Sequence, residues 1–283
     1  ETALVLISLW NHYAQSRDLE FIEKIYDTLI RQTANFMVEY RDPKTGLPKA
    51  SFDLWEEKFG IHTFTAASVY GALTAAAKFA KLLGKEKSEH VYTTAAFEIK
   101  QAIIAHLYDE EQGIFIKMIN VDDNGTITYD KTLDMSSIYG IFTWEVLEIN
   151  DPRLSRAIKQ VEERLVCKTD ISGVARYEGD RYFRSVEGVP GNPWFITTLW
   201  LAQYYVAHAK KETDFADVHK WLEWAVKYAA PSGVLSEQLH PYTGEQLSAG
   251  PLTWSHSEYV MTVIKYLNRL EELGICLKCN PLN

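Results

Sequence analysis

Hydrophobic residues recur at the spacing of an α-helix in about nine segments of the chain, and no segment shows the sustained alternation of a half-buried strand. Several segments carry apolar residues on one side only, the pattern of a helix with one face in solvent. The clearest of these are 19–36, 92–107, 154–165 and 215–228. The pattern therefore predicts an all-α protein.

A second group of segments is apolar around most of the helix circumference, at 3–14, 64–83, 136–147, 193–209 and 252–267. Such helices must be buried on several sides. One-sided and all-round helices alternate along the chain, which favours a toroid whose inner helices are enclosed by an outer layer. A helical-repeat solenoid is the alternative, but the sequence contains no repeated unit of ~34 or ~40 residues.

Long polar and aromatic loops precede the all-round helices, at 41–61, 108–135, 168–192 and 230–251. In a toroid, these loops would lie on one face, over the mouth of the inner ring. Loops held by a rigid scaffold are where binding and catalytic residues concentrate. We therefore expect the functional site among them.

The composition limits the number of domains and the class of partner. With 283 residues and 47% hydrophobic content the chain can bury a substantial core, and no Pro/Gly/Ser-rich linker divides it, so we predict a single domain over 1–283. The net charge of −9 argues against nucleic acid or an anionic membrane as partner. Aromatic residues make up 13% of the chain and many fall in loops, which suggests a flat, ring-shaped ligand.

Three cysteines cannot form a disulfide framework. Cys276 and Cys279 form an isolated C-x-x-C, and no second pair or histidine cluster completes a zinc site. We therefore expect free thiols, no metal and no cofactor. No apolar run reaches the ~18 residues of a membrane span, and no signal peptide is visible, so the expected location is the cytoplasm.

The stretch "SFDLWEEKFG" places Trp55 beside Glu56 and Glu57. One interpretation is that Ser51 or Asp53 caps a helix whose positive first turn carries the two glutamates. The other is that the two carboxylates have different tasks, because adjacent residues point in different directions. The rest of the chain must decide between them.

Two further loops carry side chains of the same character. Loop 168–192 contains "GVARYEGDRY" and runs into "GNPW", and loop 230–251 contains "SEQLHPYTGEQLSAG" and runs into "PLTWSH". Tyrosine and tryptophan faces pack against sugar rings, and arginine and carboxylates hydrogen-bond hydroxyl groups. Two opposed carboxyl groups are the minimum machinery for glycoside hydrolysis. The three loops together point to a carbohydrate ligand.

These motifs identify a family. "DLWEE" followed by a "TFTAA" helix, then "RYEGD" and "GNPW", then "SEQ" and "GEQLSAGPLTWSH", resembles in order and spacing the catalytic domain of glycoside hydrolase family fifteen. That family contains glucoamylases, glucodextranases and some prokaryotic trehalases, and the resemblance covers essentially the whole chain. It implies an (α/α)6 barrel and a reaction that inverts the anomeric centre.

The resemblance also implies roles for the residues of the first motif and for the base. Glu56 matches the general acid that protonates the glycosidic oxygen, and Glu237 in "SEQ" matches the general base that activates water. Glu57 matches a ligand of the sugar hydroxyls, and Trp55 matches an aromatic wall beside the acid. One glutamate would react while its neighbour holds the substrate.

Further substrate contacts are implied for four residues, namely Arg176, Tyr177, Trp194 and Trp254. Arg176 and Tyr177 match a substrate-contacting pair, and the two tryptophans match residues that line the pocket. Without the resemblance, the tryptophans could be ordinary core aromatics and Arg176 could form a surface ion pair. Asp180 has an uncertain counterpart in the family, because Gly179 disturbs the alignment.

The leading functional hypothesis is an inverting, exo-acting α-glucoside hydrolase that releases glucose from the non-reducing ends of α-glucans, with an oligo- or polysaccharide as substrate. A trehalase or an α-1,6-glucan glucohydrolase of the same family is the first alternative. A non-catalytic α/α toroid that binds protein or glycan is the second. The presence of both Glu56 and Glu237 argues against a binding module, which needs no acid and base together. The oligomeric state is not predicted.

The chain reads as helical from its first residues, and it lacks the Trp-Pro-Arg-Asp-like motif of the family. About nine helical segments are counted, where a complete barrel of six helical hairpins has twelve. We therefore expect a barrel that is incomplete at the N-terminus, with the missing N-terminal part of the same protein as its partner. The helices beside the gap should then expose apolar residues.

Overall fold

The structure is a computed structural model that describes residues 2–279. The chain forms two compact units. The first runs to Lys131 and includes Gly140–Glu148, and the second comprises Thr132–Tyr139 and the residues from Ile149 onward. The expectation of a single domain stays a prediction.

The helices of the first unit are α1 Thr2–Ser16, α2 Leu19–Ile25, a π-helical turn Tyr26–Ile30, α3 Arg31–Glu39, α4 Thr63–Leu82 and α5 Glu86–Leu107. α2 begins after Asp18, whose side chain accepts a hydrogen bond from the amide of Phe21 at 2.9 Å. α4 packs against both α1 and α5 and is buried around most of its circumference, as its sequence predicted. A short helix, α6 Met135–Thr143, contributes residues to both units.

The second unit contains α7 Pro152–Arg164, α8 Phe195–His208, a 3₁₀ turn Glu212–Phe215, α9 Ala216–Lys227 and α10 Thr253–Glu272. α7 starts with proline at its first turn, and the side chain of Asp151 caps it by accepting from the amide of Arg153. α8 is the buried centre of the unit and packs against α9 and α10. Because α2, the π turn and α3 are continuous, the ten α-helices of the described residues form nine segments, as predicted.

The expectation of an irregular loop over 108–135 is wrong, because this segment contains three strands. Its three strands join two strands from 51–62 in a five-stranded sheet, whose members are β1 Ser51–Phe52, β2 Phe59–His62, β3 Tyr108–Asp109, β4 Ile114–Val121 and β5 Ile127–Leu133. The order is β1-β2-β4-β3, and β5 also pairs with β4. The strand was missed because β4 is buried along six successive residues, all apolar except Lys117, and therefore shows no alternation of apolar and polar residues. A second, two-stranded sheet joins β6 Gln238–Leu239 to β7 Gln246–Leu247.

The cysteines also depart from the prediction. Cys276 and Cys279 form a disulfide with their Cα atoms 5.8 Å apart, so the expectation of free thiols is wrong for this pair. The C-x-x-C spacing places both residues just after α10, close enough to bond. Cys167 is a free, buried thiol, and burial raises its pKa to about 12.

Exposed apolar side chains were expected on the helices beside a gap, but they are not confined to α1 and α10, because Phe97 of α5 and Val226 of α9 are each 60% exposed. Val5 of α1 is 44% exposed, and Val260 and Met261 of α10 are 54% and 42% exposed. The reason proposed for their exposure stays a prediction. Within 2–279, none of the helices combines the length and hydropathy needed to cross a bilayer.

Candidate active site

The motif "DLWEE" lies in the connection of a β-hairpin and not at the start of a helix. β1 and β2 pair antiparallel through Ser51 with Gly60 and Phe52 with Phe59. The six residues between these strands form the turn that we call the acid loop, residues 53–58. The helix-capping interpretation of Ser51 and Asp53 is therefore wrong.

Asp53 organises the acid loop from within. Its Oδ1 accepts hydrogen bonds from the amides of Glu57 at 2.7 Å and Lys58 at 3.2 Å. Its own amide donates to the carbonyl of Lys58 at 2.9 Å, and its carbonyl accepts from the amide of Glu56 at 3.1 Å. Burial acts to raise the pKa of Asp53, but these amide bonds and the nearby ammonium of Lys117 outweigh it, so the pKa lies below its usual value. The carboxylate is therefore ionised at neutral pH.

The three predicted residues of the loop have different settings. Trp55 is buried and anchors the loop, whereas Glu56 and Glu57 extend into solvent. Glu56 has a φ of 60°, a left-handed backbone conformation that is strained for a residue with a side chain. The surrounding residues of the loop must therefore stabilise the backbone conformation of Glu56.

A cavity of about 780 Å³ lies beside Glu56 in the first unit. This size falls within the range of small-molecule sites, roughly 300–1,000 Å³. The ring of Phe36 stacks on that of Tyr40 with centroids 4.9 Å apart, and both rings are partly exposed. The wall of the cavity includes four aromatic residues, namely Phe36, Tyr40, Phe52 and Phe64. The acid loop therefore borders a space that is aromatic on several sides.

In the second unit, a row of single β-bridges brings three separate loops together. Val166 pairs with Val174, Val174 with Trp194, and Trp194 with Gln238 of β6. The amide of Trp194 donates to the carbonyl of Val174 at 2.9 Å, and the amide of Phe195 donates to the carbonyl of Glu237 at 3.3 Å. This row places the segments of "ARYEGD", "GNPW" and "SEQ" side by side.

Arg176 is buried and forms a two-pronged ion pair with Asp180. Its Nε and Nη2 donate to the two carboxylate oxygens of Asp180, each at 2.8 Å. The guanidinium also lies over the rings of Trp194 at 4.6 Å, Tyr182 at 5.0 Å and Tyr177 at 5.1 Å. The surface ion pair considered for Arg176 is wrong, because the side chain is 3% exposed. Asp180, whose family counterpart was left open, is the partner that holds the arginine.

Glu237 is half-buried, and the hydroxyl of Ser248 donates a hydrogen bond to its Oε2. The backbone amide of Glu237 donates to the carbonyl of Ala249 at 2.9 Å. Two histidines brace the surrounding loop: Nε2 of His256 accepts from the amide of Leu235 at 3.1 Å, and Nδ1 of His240 accepts from the amides of the turn after it. The carboxylate of Glu237 is thus fixed from one side by a hydroxyl donor.

The two predicted tryptophans of this unit differ in exposure. Trp194 is 2% exposed and belongs to the packed interior. Trp254, in the first turn of α10, is half-buried, and its Nε1 donates to Glu258 at 3.3 Å. Glu258 in turn accepts from Gln203 of α8 at 2.7 Å. Only Trp254 offers ring surface to a ligand without rearrangement.

The side chain of Asn192, in "GNPW", links two loops. Its Nδ2 donates to Oε1 of Gln238 and to the carbonyl of Phe183, both at 2.8 Å, and its Oδ1 accepts from the hydroxyl of Ser185 at 2.8 Å. Gln238 follows Glu237, so Asn192 fixes the neighbour of the predicted base. No local pattern could have revealed the contact with Gln238, which lies 46 residues further along the chain.

The predicted site residues fall in both units. Trp55, Glu56 and Glu57 belong to the first, and the other predicted residues, Arg176, Tyr177, Trp194, Glu237 and Trp254, belong to the second. Their roles stay predictions. In the described part of the chain, no group of three or more His, Cys, Asp and Glu side chains has the arrangement of a metal site.

Solved structures define the class of this fold. A bacterial glucoamylase in complex with acarbose matches with a TM-score of 0.75 and 22% identity, over 95% of this chain and 40% of that one. The glucoamylase of Hypocrea jecorina matches with a TM-score of 0.65 and 18% identity, over 94% of this chain and 51% of that one. The predicted all-α, (α/α)6-barrel class is confirmed by these likenesses.

The sequence profile of glycosyl hydrolases family 15 matches residues 1–264, and the chain belongs to that family of glycoside hydrolases. The uncharacterized glycosyl hydrolase MJ1610 of Methanocaldococcus jannaschii is 30% identical over 261 residues, 89% of this chain and 39% of that protein. Trehalase 2 of Sulfolobus acidocaldarius is 26% identical, over 92% of this chain and 40% of its own length. The glucoamylase of Clostridium sp. (strain G0005) is 27% identical, over 84% of this chain and 36% of that protein. The chain thus spans less than half the length of these three relatives.

Proposed function

We propose that the protein hydrolyses α-glucosidic bonds at the non-reducing ends of α-glucans and releases glucose with inversion of the anomeric centre. The observation that carries the proposal is the position of Glu56 at a cavity of about 780 Å³ with aromatic walls. Aromatic faces pack against the apolar faces of a pyranose ring, and a carboxyl group at the edge of such a space can reach a glycosidic oxygen. Membership of family 15 supports the same reaction class.

In this proposal Glu56 is the general acid and Glu237 is the general base. Glu56 donates its proton to the glycosidic oxygen as the bond from the anomeric carbon breaks. Glu237 takes a proton from the water molecule that attacks this carbon from the opposite face. The hydrogen bond from Ser248 supports the role of Glu237, because it fixes one carboxylate oxygen and leaves the other for water.

The remaining predicted residues, apart from the buried Trp194, bind the sugar in this proposal. Glu57 hydrogen-bonds its hydroxyl groups, Trp55 backs the acid, and Trp254 offers half-exposed ring surface. Arg176 and Tyr177 hydrogen-bond further hydroxyl groups of the sugar. The ion pair with Asp180 holds the guanidinium of Arg176 in one orientation, which lowers the entropy lost when it binds a hydroxyl group.

Hydrolysis of trehalose is the second candidate, because one of the relatives is a trehalase. The test is glucose release by the full-length protein from maltose, isomaltose and trehalose in parallel, with Glu237→Gln as the control. Faster hydrolysis of maltose than of the other two disaccharides supports the proposal. Faster hydrolysis of trehalose or isomaltose would assign that disaccharide as the substrate instead. Failure on all three substrates, with the variant no different, favours the non-catalytic binding module.

A further inference from the structure

The acid loop depends on a charged residue outside its own motif. Oδ2 of Asp53 lies 3.3 Å from Nζ of Lys117. The two side chains are 4% and 3% exposed, so the pair is removed from water. Lys117 belongs to β4, which pairs with β2 through Ile61 with Ile119 and His62 with Met118. The strand that adjoins the hairpin thus supplies a fixed positive charge to the base of the acid loop.

Each oxygen of the Asp53 carboxylate has its own task. Oδ1 accepts the amides of Glu57 and Lys58, while Oδ2 faces the ammonium. Rotation of the Asp53 carboxylate would break both sets of contacts. Lys117 therefore fixes the orientation in which this carboxylate accepts the two backbone amides. A buried charge without its partner is strongly unfavourable. Loss of Lys117 would therefore drive Asp53 to take up a proton or turn toward water.

The backbone of Glu56 makes this dependence important. Its φ of 60° is held by the hydrogen bond of its amide to the carbonyl of Asp53 and by the bonds that flank it. A non-glycine residue keeps such a conformation only where its surroundings impose it. If Asp53 moves, Glu56 relaxes toward negative φ and its carboxyl group changes place. A displacement of about 1 Å can cost a large factor in rate.

We propose that Lys117 is a positioning residue for proton donation: it holds Asp53, and Asp53 holds the backbone from which Glu56 reaches the glycosidic oxygen. The inference rests on the proposed role of Glu56 as general acid. Lys117 does not touch substrate in this proposal, and its effect reaches Glu56 through Asp53 and the acid loop.

The test compares two substrates that differ in their need for the acid. Maltose requires protonation of the leaving oxygen. α-D-Glucopyranosyl fluoride does not: its C–F bond breaks, fluoride leaves with the bonding electrons, water adds to the anomeric carbon and the base receives a proton. In the full-length protein, Lys117→Met should lower kcat on maltose at least about tenfold with KM within about twofold. On the fluoride, kcat should fall by less than about threefold.

Two further variants calibrate the experiment. Glu56→Gln should lower kcat on maltose more than Lys117→Met does, and it should likewise affect kcat on the fluoride much less than kcat on maltose. Lys159→Met removes an ammonium from an exposed ion pair with Glu163 of α7, and both substrates should be hydrolysed as in the wild type. If Lys117→Met does not fold, the neutral pair Asp53→Asn with Lys117→Met takes its place, because it leaves no buried charge uncompensated.

An equal loss on both substrates, or no loss on maltose, would overturn the positioning role, because a merely structural lysine lowers the amount of active protein and not the preference between substrates. The proposed function fails in a different way. A wild-type protein inactive on both substrates, or a Glu56→Gln variant that still hydrolyses maltose normally, would remove the acid role itself and the positioning role with it.

Discussion

The ion pair between Arg176 and Asp180 gives a stability prediction that can be worked from distances. Two N–H···O bonds of 2.8 Å join the side chains, and the amide of Tyr182 donates a third to Asp180 at 2.9 Å. With side chains only 3% and 1% exposed, solvent does not screen the pair. Asp180→Ala leaves a buried guanidinium without its carboxylate, a change that typically costs about 3–5 kcal/mol. The rings around Arg176 offset part of that cost.

We take about 3 kcal/mol, the lower end of that range, as the expected loss. At roughly 2–4 °C for each kcal/mol, this corresponds to a fall in melting temperature of about 6–12 °C, measured by calorimetry or circular dichroism. The matched control is Arg181→Ala, because Arg181 pairs with Glu187 on the surface with both side chains largely exposed. Its melting temperature should change by less than about 2 °C. Equal melting temperatures for the two variants would refute the reasoning.

Three more predictions concern the carboxylates and the buried thiol. Glu237→Gln should preserve the melting temperature and lower kcat by about 10²–10⁴-fold, and near-normal kcat would remove it from the mechanism. Glu57→Gln should change both KM and kcat on maltose, whereas Glu56→Gln should lower kcat with KM largely kept, and the same kinetic pattern in both would contradict separate roles. Cys167 should not react with a thiol reagent in the native protein between pH 7 and 9, because its raised pKa of about 12 leaves little thiolate. It should react once the protein is unfolded. Fast reaction in the native protein would show that the thiol is accessible and would contradict the prediction.

The hydrophobic pattern predicted the helices well because each must bury one face or its whole surface. α4 and α8 lie where apolar residues occupy the full circumference, at 63–82 and 195–208. β4 could not be predicted in the same way, because a strand covered on both faces has no alternation and resembles a stretch of buried helix. The all-α class was recognised, and the sheet that carries the acid loop was not.

The candidate site shows the same division between local and distant information. The motif "DLWEE" predicted Trp55, Glu56 and Glu57 as site residues, but it did not predict that they lie in the connection of a β-hairpin. Lys117 gave no signal, because a lysine inside an apolar run is recognised as an anchor only when the residue opposite to it is known. Ser248 stood inside a quoted motif without a role until its hydroxyl was placed beside Glu237. Contacts between distant segments depend on the tertiary fold, which periodicity does not encode.

The most direct test of the central claim is the anomeric form of the first glucose released. Proton NMR should follow hydrolysis of soluble starch by the full-length protein within the first minutes, before mutarotation mixes the anomers, because nearly all the glucose released from a long chain comes from its non-reducing end. An acid and a base that act on opposite faces of the sugar predict β-glucose first, with α-glucose growing in at the rate of mutarotation. If α-glucose were released first, the second carboxylate would act as a nucleophile, and the proposed roles of Glu56 and Glu237 would be contradicted.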